Sequence, residues 1–214
     1  MKALIDADLV AFRCAFSCDD DADPTFVTDK VDFSMEQIIM QANATKYEAF
    51  LTGKGNFRKK INPEYKANRK DKAPPKWLQT CRDRLTDHWK AEVCTGYEAD
   101  DALGMNQTTS TIICSIDKDL DQVPGMHFNW VKGDYYEVSE IEGLRSFYRS
   151  VLIGDRVDNI FGIDGIGPVK AGKLINPLWE EAEMYNLCKD LYNDPNRLCM
   201  NMECLYIWRN PNAS

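Results

Sequence analysis

The chain has 214 residues, of which 44 % are hydrophobic and 28 % charged, and its formal net charge is −8. This composition excludes an intrinsically disordered chain, and no apolar run approaches the roughly 20 residues that a membrane-spanning helix needs. Two acids interrupt the apolar amino terminus MKALIDADLV, which argues against a secretory leader and predicts a cytoplasmic protein. The eight cysteines form no CxxC pair and the two histidines stand apart, so reduced thiols are expected and structural zinc is not.

Positive charge is concentrated in one segment of this acidic chain. Residues 54–90 contain twelve Lys or Arg and four acids, so the rest of the chain carries a balance of −16. We expect one basic surface, which attracts phosphates, and one acidic region, which needs cations among its carboxylates.

Strands and helices alternate through the first half of the chain. The predicted strands are residues 2–6, 47–52, 91–94 and 111–116, followed by a hairpin or a pair of edge strands at 126–131 and 135–138. The predicted helices run from a capping-box pattern at Ser34 to near Thr45, from Lys76 to Lys90, and from Glu98 to about Gln107. This alternation predicts a parallel, doubly wound sheet.

The remaining segments define the expected domains. Residues 53–75 are polar, basic and without periodicity, which predicts a loop or mobile arch above the sheet. From Glu140 onward the pattern is helical. The predicted division is an α/β core at 1–138 and a helical module at 139–214.

Acidic residues follow the predicted strands at one edge of the sheet. Asp6 closes the first strand and Asp117 follows the strand at 111–116, so both should face the crevice beyond the carboxyl ends of the strands. The other acids expected on this rim are Glu98, Asp100, Asp101, Asp119, Asp155 and Asp158, the last two on one helical face.

Such a concentration of carboxylates requires compensation, because like charges at close range raise each other's pKa. Oxygen ligands without His or Cys favour Mg²⁺ or Mn²⁺, and two such ions about 4 Å apart can activate water and stabilise the leaving oxygen of a phosphodiester. The alternative is that these acids only cap helices and face solvent. Four clusters on one rim make that alternative the weaker one.

A glycine-rich turn precedes a predicted helix in the second half. The segment GIDGIGPVK at 162–170 places Pro168 at the first helical position. Backbone N–H groups around Gly165 and Gly167, together with Lys170 and Lys173, predict a phosphate contact. Because neither the dinucleotide fingerprint nor the Walker loop fits, the turn is interpreted as a helix–hairpin–helix corner, which tracks a sugar–phosphate backbone.

The segment FRKKINPEYKANR at 57–69 mixes cations with aromatic side chains. Aromatic rings can stack on a terminal base while cations hold phosphates, which makes Arg58, Tyr65, Lys66 and Arg69 candidate nucleic-acid-binding residues. The alternative is a solvated basic face.

Together these motifs resemble the 5′-nuclease (flap endonuclease-like, PIN-like) superfamily, in particular the small 5′→3′ exonucleases of bacteriophages. The matching segments are LIDAD (4–8), NPEYKANR (62–69), GYEADD (96–101), SIDKDLDQVP (115–124) and GDRVDNIFGIDGIGPVKA (154–171). They occur in the family's order across nearly the whole chain, and the last two are specific. The end LYIWRNP (205–211) resembles that of podovirus-type exonucleases.

The resemblance implies a PIN-like twisted parallel sheet flanked by helices, a short arch, and a helix–hairpin–helix (H3TH) module that grips duplex backbone. It implies a two-metal 5′→3′ exonuclease or flap endonuclease that acts on double-stranded DNA with a 5′ end or flap, or on an RNA–DNA hybrid. Without a coiled coil or an extended apolar stripe, a monomer is expected.

The resemblance also assigns residues. Asp6, Glu98 and Asp100 would hold a first Mg²⁺ or Mn²⁺, with Asp101 nearby, and Asp117, Asp119, Asp155 and Asp158 would surround a second. Lys66 and Arg69 match arch cations that contact the scissile phosphate, and with Asp6 and Asp117 they form the expected catalytic set. Main-chain carbonyls of residues 162–167 would be the place for K⁺.

Two departures from the family pattern leave alternatives open. Many relatives carry an aspartate after the second strand, where this chain has Thr52 and Gly53, so Asp8 or water would replace that ligand. The arch is also short. One alternative is a binding-only protein that holds DNA structures without cutting them.

The other alternative is a haloacid-dehalogenase-type phosphatase, whose DxDx(T/V) motif is satisfied by Asp6 to Val10, with Asp6 as nucleophile, Asp8 as general acid, and Asp155 and Asp158 as metal-binding acids. That reading leaves the acids at 98–101 and 117–119 and the glycine turn unexplained.

Overall fold

A six-stranded sheet forms the centre of the protein, in a computed structural model that describes residues 1–69 and 73–209. Its order is β3-β2-β1-β4-β5-β6. The strands are β1 (Lys2–Asp6), β2 (Lys46–Thr52), β3 (Glu92–Cys94), β4 (Thr111–Cys114), β5 (Gly125–Asn129) and β6 (Asp134–Val138). The first five are parallel and β6 pairs antiparallel to β5, which confirms the predicted doubly wound sheet and its terminal hairpin.

Helices cover both faces of this sheet and continue beyond it. They are α1 (Ala7–Phe16), α2 (Pro24–Gln41), α3 (Arg58–Ile61), α4 (Leu78–Asp87), α5 (Ala99–Asn106), α6 (Glu140–Ile153), α7 (Pro168–Ile175), α8 (Glu181–Leu191) and α9 (Pro195–Leu205). Short 3₁₀ helices occupy Ala67–Arg69 and Lys118–Gln122, and a small hairpin joins β7 (Gly154–Asp155) to β8 (Ile160–Phe161). Among the described residues, no helix is long and apolar enough to cross a bilayer.

Alternating residues of β1 divide the core into two layers. Ile5 packs with α1, α2 and α4 on one face, whereas Leu4 packs with α5 on the other. A third apolar cluster lies among α6, α7, α8 and α9. The segment that follows α9 returns from this cluster to the sheet, because Ile207 joins the Leu4 layer and its N–H donates to Gln122 at 3.1 Å.

The helix predicted to begin at Ser34 was placed wrongly. Asp23 caps α2 by accepting from the Thr25 N–H at 2.7 Å, and Pro24 follows at the first helical position. The Ser34 hydroxyl instead donates to the Lys30 carbonyl within the same helix, at 2.8 Å. The capping-box pattern was therefore a coincidence inside a longer amphipathic helix.

The prediction of a loop or free arch over residues 53–75 also needs correction. Within the described part of that segment, α3 packs against α9, and the stretch from Glu64 to Arg69 is hydrogen-bonded to the turn between β7 and β8. The Lys66 N–H donates to the Asp158 carbonyl at 2.9 Å, and the Asn159 amide donates to the Glu64 carbonyl at 2.8 Å. Residues 70–72 of the predicted arch, and 210–214 of the predicted helical module, lie outside the described residues.

Candidate metal-binding cleft

Asp6 lies at the point where β1 becomes α1. Its carboxylate caps α1 by accepting from the Leu9 N–H at 3.1 Å, and its second oxygen accepts from the Ser115 hydroxyl at 2.9 Å. The same hydroxyl accepts from the Asp117 N–H at 3.1 Å. Ser115, which the sequence analysis did not single out, therefore fixes the relative position of the acids that end β1 and follow β4.

These acids open into a cleft of about 860 Å³ beyond the carboxyl ends of the strands. The carboxylates that line it are Asp6, Asp8, Glu98, Asp100, Asp117, Asp119, Asp155 and Asp158. The structure thus brings together every predicted metal ligand except Asp101. Asp155 and Asp158 were expected on one helical face, but Asp155 lies in β7 and Asp158 in the turn that follows it.

Asp101 faces the protein interior, which makes its prediction as a metal-site residue wrong. It is 0 % exposed, and both of its oxygens accept from the Arg58 guanidinium, at 2.6 and 2.8 Å. Arg58 is 3 % exposed and also donates to the carbonyls of Cys204 and Tyr206, at 2.7 and 2.8 Å. The prediction that Arg58 contacts nucleic acid is therefore wrong as well, because every part of its guanidinium is used inside the protein.

Two carboxylates deep in the cleft, Asp6 and Asp100, have raised pKa values. Burial, together with the charges of Asp8 and Asp117, raises the pKa of Asp6 to about 7. Burial and the charges of Asp6 and Asp117 raise the pKa of Asp100 well above its ordinary value. A cleft in which acids resist ionisation to this degree stabilises a cation that enters it.

Two acids nearer the mouth of the cleft, Asp119 and Asp155, also have raised pKa values. Partial removal from water, with the charges of Asp117 and Asp155, raises the pKa of Asp119, although its side chain keeps solvent contact at the mouth of the cleft. Burial and the charge of Asp158 raise the pKa of Asp155. The acids thus form an inner group around Asp6 and an outer group around Asp119.

Lys66 and Arg69 lie across the mouth of this cleft. Lys66 forms ion pairs with Glu98 and, at 3.4 Å, with Asp158, and Arg69 pairs with the other oxygen of Asp158. Burial alone would raise the pKa of Glu98, but Lys66 and Arg58 hold it below its ordinary value. The two predicted arch cations therefore neutralise acids on the cleft rim.

Tyr65 does not present its ring to solvent. It is 3 % exposed, and its hydroxyl contacts Glu98 at 2.9 Å and Asp158 at 2.7 Å. The prediction that Tyr65 stacks on a base is wrong, because the ring packs beside Ile160 and Cys204. The Tyr65 hydroxyl therefore links Asp158, in the turn between β7 and β8, to Glu98, at the start of α5.

The backbone at Gly53, where many relatives carry an aspartate near the end of β2, leaves no room for a side chain. A Cβ atom at Gly53 would lie 2.3 Å from the Cys94 carbonyl oxygen, so no larger residue fits without a shift. Beside it, Asp8 pairs with Arg82 and accepts from the Thr52 N–H at 2.7 Å. Asp8 thus lines the cleft where the ligand was expected, but its charge is partly used by a cation that the sequence analysis missed.

The donor set fits divalent ions that keep much of their water. Among residues 1–69 and 73–209, no group of three or more His, Cys, Asp or Glu side chains is placed to hold one metal ion by itself. Mg²⁺ is usually bound through one or two carboxylates plus waters and substrate phosphates, so an open group of carboxylates suits it better than a cage would. Eight carboxylates against the five cations Lys54, Lys59, Lys66, Arg69 and Arg82 leave the lining negative.

The glycine turn lies outside the cleft, at the start of α7. Gly165 has φ +75°, a conformation that favours glycine, and Pro168 begins the helix as predicted. Gly165, Gly167, Lys170 and Lys173 are all exposed. The turn and its two lysines are therefore open to a ligand approaching α7 from solvent.

The protein is an α/β protein with a doubly wound sheet, and it carries a carboxylate cleft at the topological switch point of that sheet. The chain belongs to the family of 5′-3′ exonuclease N-terminal, resolvase-like domains, whose model matches residues 2–148. This match confirms the superfamily that the motifs resembled.

Flap endonucleases of two Shewanella species are similar in sequence to part of the chain. The chain is 31 % identical over 151 residues to the flap endonuclease Xni of Shewanella pealeana, an alignment that covers 61 % of this chain and 58 % of that protein. It is 29 % identical over 137 residues to the Xni protein of Shewanella baltica strain OS155, covering 56 % and 52 %. The matched part thus spans little more than half the length of these relatives.

Solved structures share the fold. The T5 D15 protein co-crystallised with metal ions superposes with a TM-score of 0.70 at 18 % identity, covering 95 % of this chain and 89 % of that one. A T5 5′-exonuclease with bound divalent zinc gives a TM-score of 0.70 at 18 % identity, covering 96 % and 89 %. The PIN-like α/β fold expected from the motifs is confirmed.

Proposed function

We propose that this protein is a divalent-metal-dependent 5′→3′ exonuclease and flap endonuclease that hydrolyses phosphodiester bonds of DNA. The observation that carries the proposal is the convergence of eight carboxylates on one cleft at the switch point of the sheet. Membership of the 5′-3′ exonuclease family supports the direction of attack. The flap endonuclease named among the relatives, and the T5 flap endonuclease solved with DNA and metal ions, support DNA as substrate.

The neighbouring charges suggest how two ions would be held. The charge of Asp117 raises the pKa of both Asp6 and Asp100, and these three acids would hold the first ion, with Glu98 at their edge. Asp119, Asp155 and Asp158 form the corresponding outer group and would hold the second. Two bound Mg²⁺ or Mn²⁺ ions would supply an activated water and stabilise the leaving oxygen.

Lys66 and Arg69 would stabilise the phosphate that is cleaved. Their side chains already lie at the rim of the cleft, where they pair with Glu98 and Asp158. When those acids are neutralised by metal, the same cations can turn to phosphate oxygens without a change in the backbone. Exposed Lys54 and Lys59 also line the cleft and would hold flanking phosphates.

The region from residue 139 onward would hold the duplex beside the cleft. Gly165 and Gly167 expose backbone N–H groups at the start of α7, and Lys170 and Lys173 add exposed charge next to them. We retain a K⁺ site at the carbonyls of residues 162–167, action on RNA–DNA hybrids, a monomeric state and a cytoplasmic location as predictions of this proposal.

The phosphatase alternative loses its support. Family membership points elsewhere, and Asp8, its general acid, is paired with Arg82 and with the Thr52 N–H. The binding-only alternative differs from our proposal only in turnover, so the experiment must measure binding and cleavage separately.

The decisive test incubates the protein with 5′-labelled duplex and 5′-flapped DNA, in Mg²⁺ and in EDTA. We expect Mg²⁺-dependent release of 5′ products whose lengths distinguish exonuclease from flap cutting. DNA that is shifted in a gel but remains intact in both Mg²⁺ and EDTA would favour the binding-only protein. DNA that is neither bound nor cut would overturn the proposal.

A further inference from the structure

A second cavity, of about 580 Å³, opens between α3, α6 and α9. Its walls are aromatic. Phe57 and Trp208 stack with ring centroids 4.5 Å apart, and Phe147 meets Tyr206 edge to face at 5.4 Å. None of the described residues that line this aromatic groove also lines the acidic cleft, so the two are separate sites.

The charged residues that line the aromatic groove are both acidic, while Arg58 and Arg209 already lie over the rings of Phe57 and Tyr206, at 4.7 and 5.7 Å. Glu181 on α8 and Glu203 on α9 line it and are exposed, and no Lys or Arg is among its described lining residues. The polar contacts of these acids are weak ones, from the Tyr148 hydroxyl at 3.2 Å and the Cys199 thiol at 3.4 Å. Within the described ranges neither carboxylate has a salt-bridge partner, so both are available to a cation from outside.

Aromatic walls and unpaired carboxylates together select a ligand with a positive charge on an apolar body. Arg and Lys side chains have this form: the head pairs with a carboxylate or lies over a ring, and the aliphatic stem covers the apolar wall. The volume lies within the range of ordinary ligand sites, enough for a few side chains. Trp, Tyr, Phe and Met, which line this groove, are the residue types enriched at protein–protein interfaces.

Other occupants complement the groove less well. Nucleic acid would bring phosphates against Glu181 and Glu203, where like charges repel. The chain's own last five residues, Asn-Pro-Asn-Ala-Ser, carry no side-chain charge that could pair with these acids.

We propose that the aromatic groove binds a segment of a partner protein in which Arg or Lys residues alternate with apolar side chains. Phe57 and Ile61 of the groove precede Lys66 in the same segment, so a bound partner would contact the segment that closes the cleft. This inference does not depend on nuclease activity, and its test uses no cleavage readout.

The experiment selects short random peptides displayed on phage against the full chain in Mg²⁺, which competes with basic peptides for the carboxylates of the acidic cleft. Parallel selections use a groove variant, Glu181→Lys/Glu203→Lys, and a matched control, Glu137→Lys/Asp190→Lys, whose positions are exposed and outside the groove. Enriched peptides are then synthesised and titrated while ¹³C-methyl methionine NMR follows Met202, assigned through Met202→Leu.

We expect enriched peptides to combine Lys or Arg with aromatic or aliphatic residues and to shift the Met202 signal. Their affinity should fall roughly tenfold or more in the groove variant, and should remain within about twofold in the control. Failure to enrich any peptide, enrichment without basic residues, or equal binding to the groove variant would overturn the proposal. A Met202 shift that follows protein concentration alone would overturn it in favour of a second copy of the chain.

Discussion

Asp100 and Asp101 are adjacent in sequence, yet the structure gives them opposite roles. Asp101 is fully buried and bonded to Arg58, whereas Asp100 lines the cleft with its pKa raised by burial and by Asp6 and Asp117. We predict that Asp101→Asn destabilises the folded protein and that Asp100→Asn, the same chemical change one residue away, does not.

The expected magnitude follows from what each charge contacts. Removing the Asp101 charge leaves the Arg58 guanidinium buried without its counter-ion, which costs about 3–5 kcal/mol of unfolding free energy. For a chain of this length that lowers Tm by roughly 6–20 °C. Removing the Asp100 charge relieves repulsion in the metal-free cleft, so its unfolding free energy should stay the same or rise.

Urea denaturation followed by circular dichroism, in EDTA, measures both variants without metal stabilisation. Calorimetric titration with Mn²⁺ then shows which variant loses binding. We expect Asp101→Asn to keep its Mn²⁺ stoichiometry once folded and Asp100→Asn to lose affinity. If Asp101→Asn were as stable as the wild type but bound Mn²⁺ poorly, the assignment of Asp101 to the interior would be refuted.

Three further predictions concern the cleft. Asp117→Asn and Asp155→Asn should each abolish cleavage while the gel-shift affinity for duplex DNA stays within about threefold, and normal turnover by either would contradict the two-ion proposal. Lys66→Ala should lower kcat roughly a hundredfold but weaken duplex binding only slightly, whereas equal losses would reduce Lys66 to general attraction for phosphate. Because the pKa of Asp6 is raised to about 7 by burial, its contribution to stability is full below about pH 4 and is lost as pH rises through about 7. In EDTA the unfolding free energy of the wild type should therefore fall relative to Asp6→Asn across that range, and Mg²⁺ should remove the difference. Parallel pH profiles of the two proteins would contradict this.

The acids at the edge of the sheet could be predicted, because their positions follow from the strands that directly precede them. A carboxylate that follows a buried strand must lie at the strand's carboxyl end, and parallel strands bring such ends to one edge. Asp6 and Asp117 needed only that argument, and the structure places both in the cleft. The helix α2 could have been predicted in the same way, since Val27, Val31, Met35 and Ile38 form one buried face, but a capping pattern at Ser34 competed with it.

The basic segment could not be predicted from its composition, because the partners of its cations lie elsewhere in the chain. Arg58 pairs with Asp101, Lys66 with Glu98 and Arg69 with Asp158. These partners are separated in sequence by 32 to 89 residues. An excess of positive charge in sequence predicts a surface that attracts phosphate, but here Lys66, Arg69 and Arg82 first neutralise acids of the cleft. Metal that takes over this task would free Lys66 and Arg69 but not Arg58, which lies 4.0 Å from Glu98 but is held by Asp101 and by the carbonyls of Cys204 and Tyr206. The same run of basic residues therefore contains two cations that can respond to metal and one that holds the fold together.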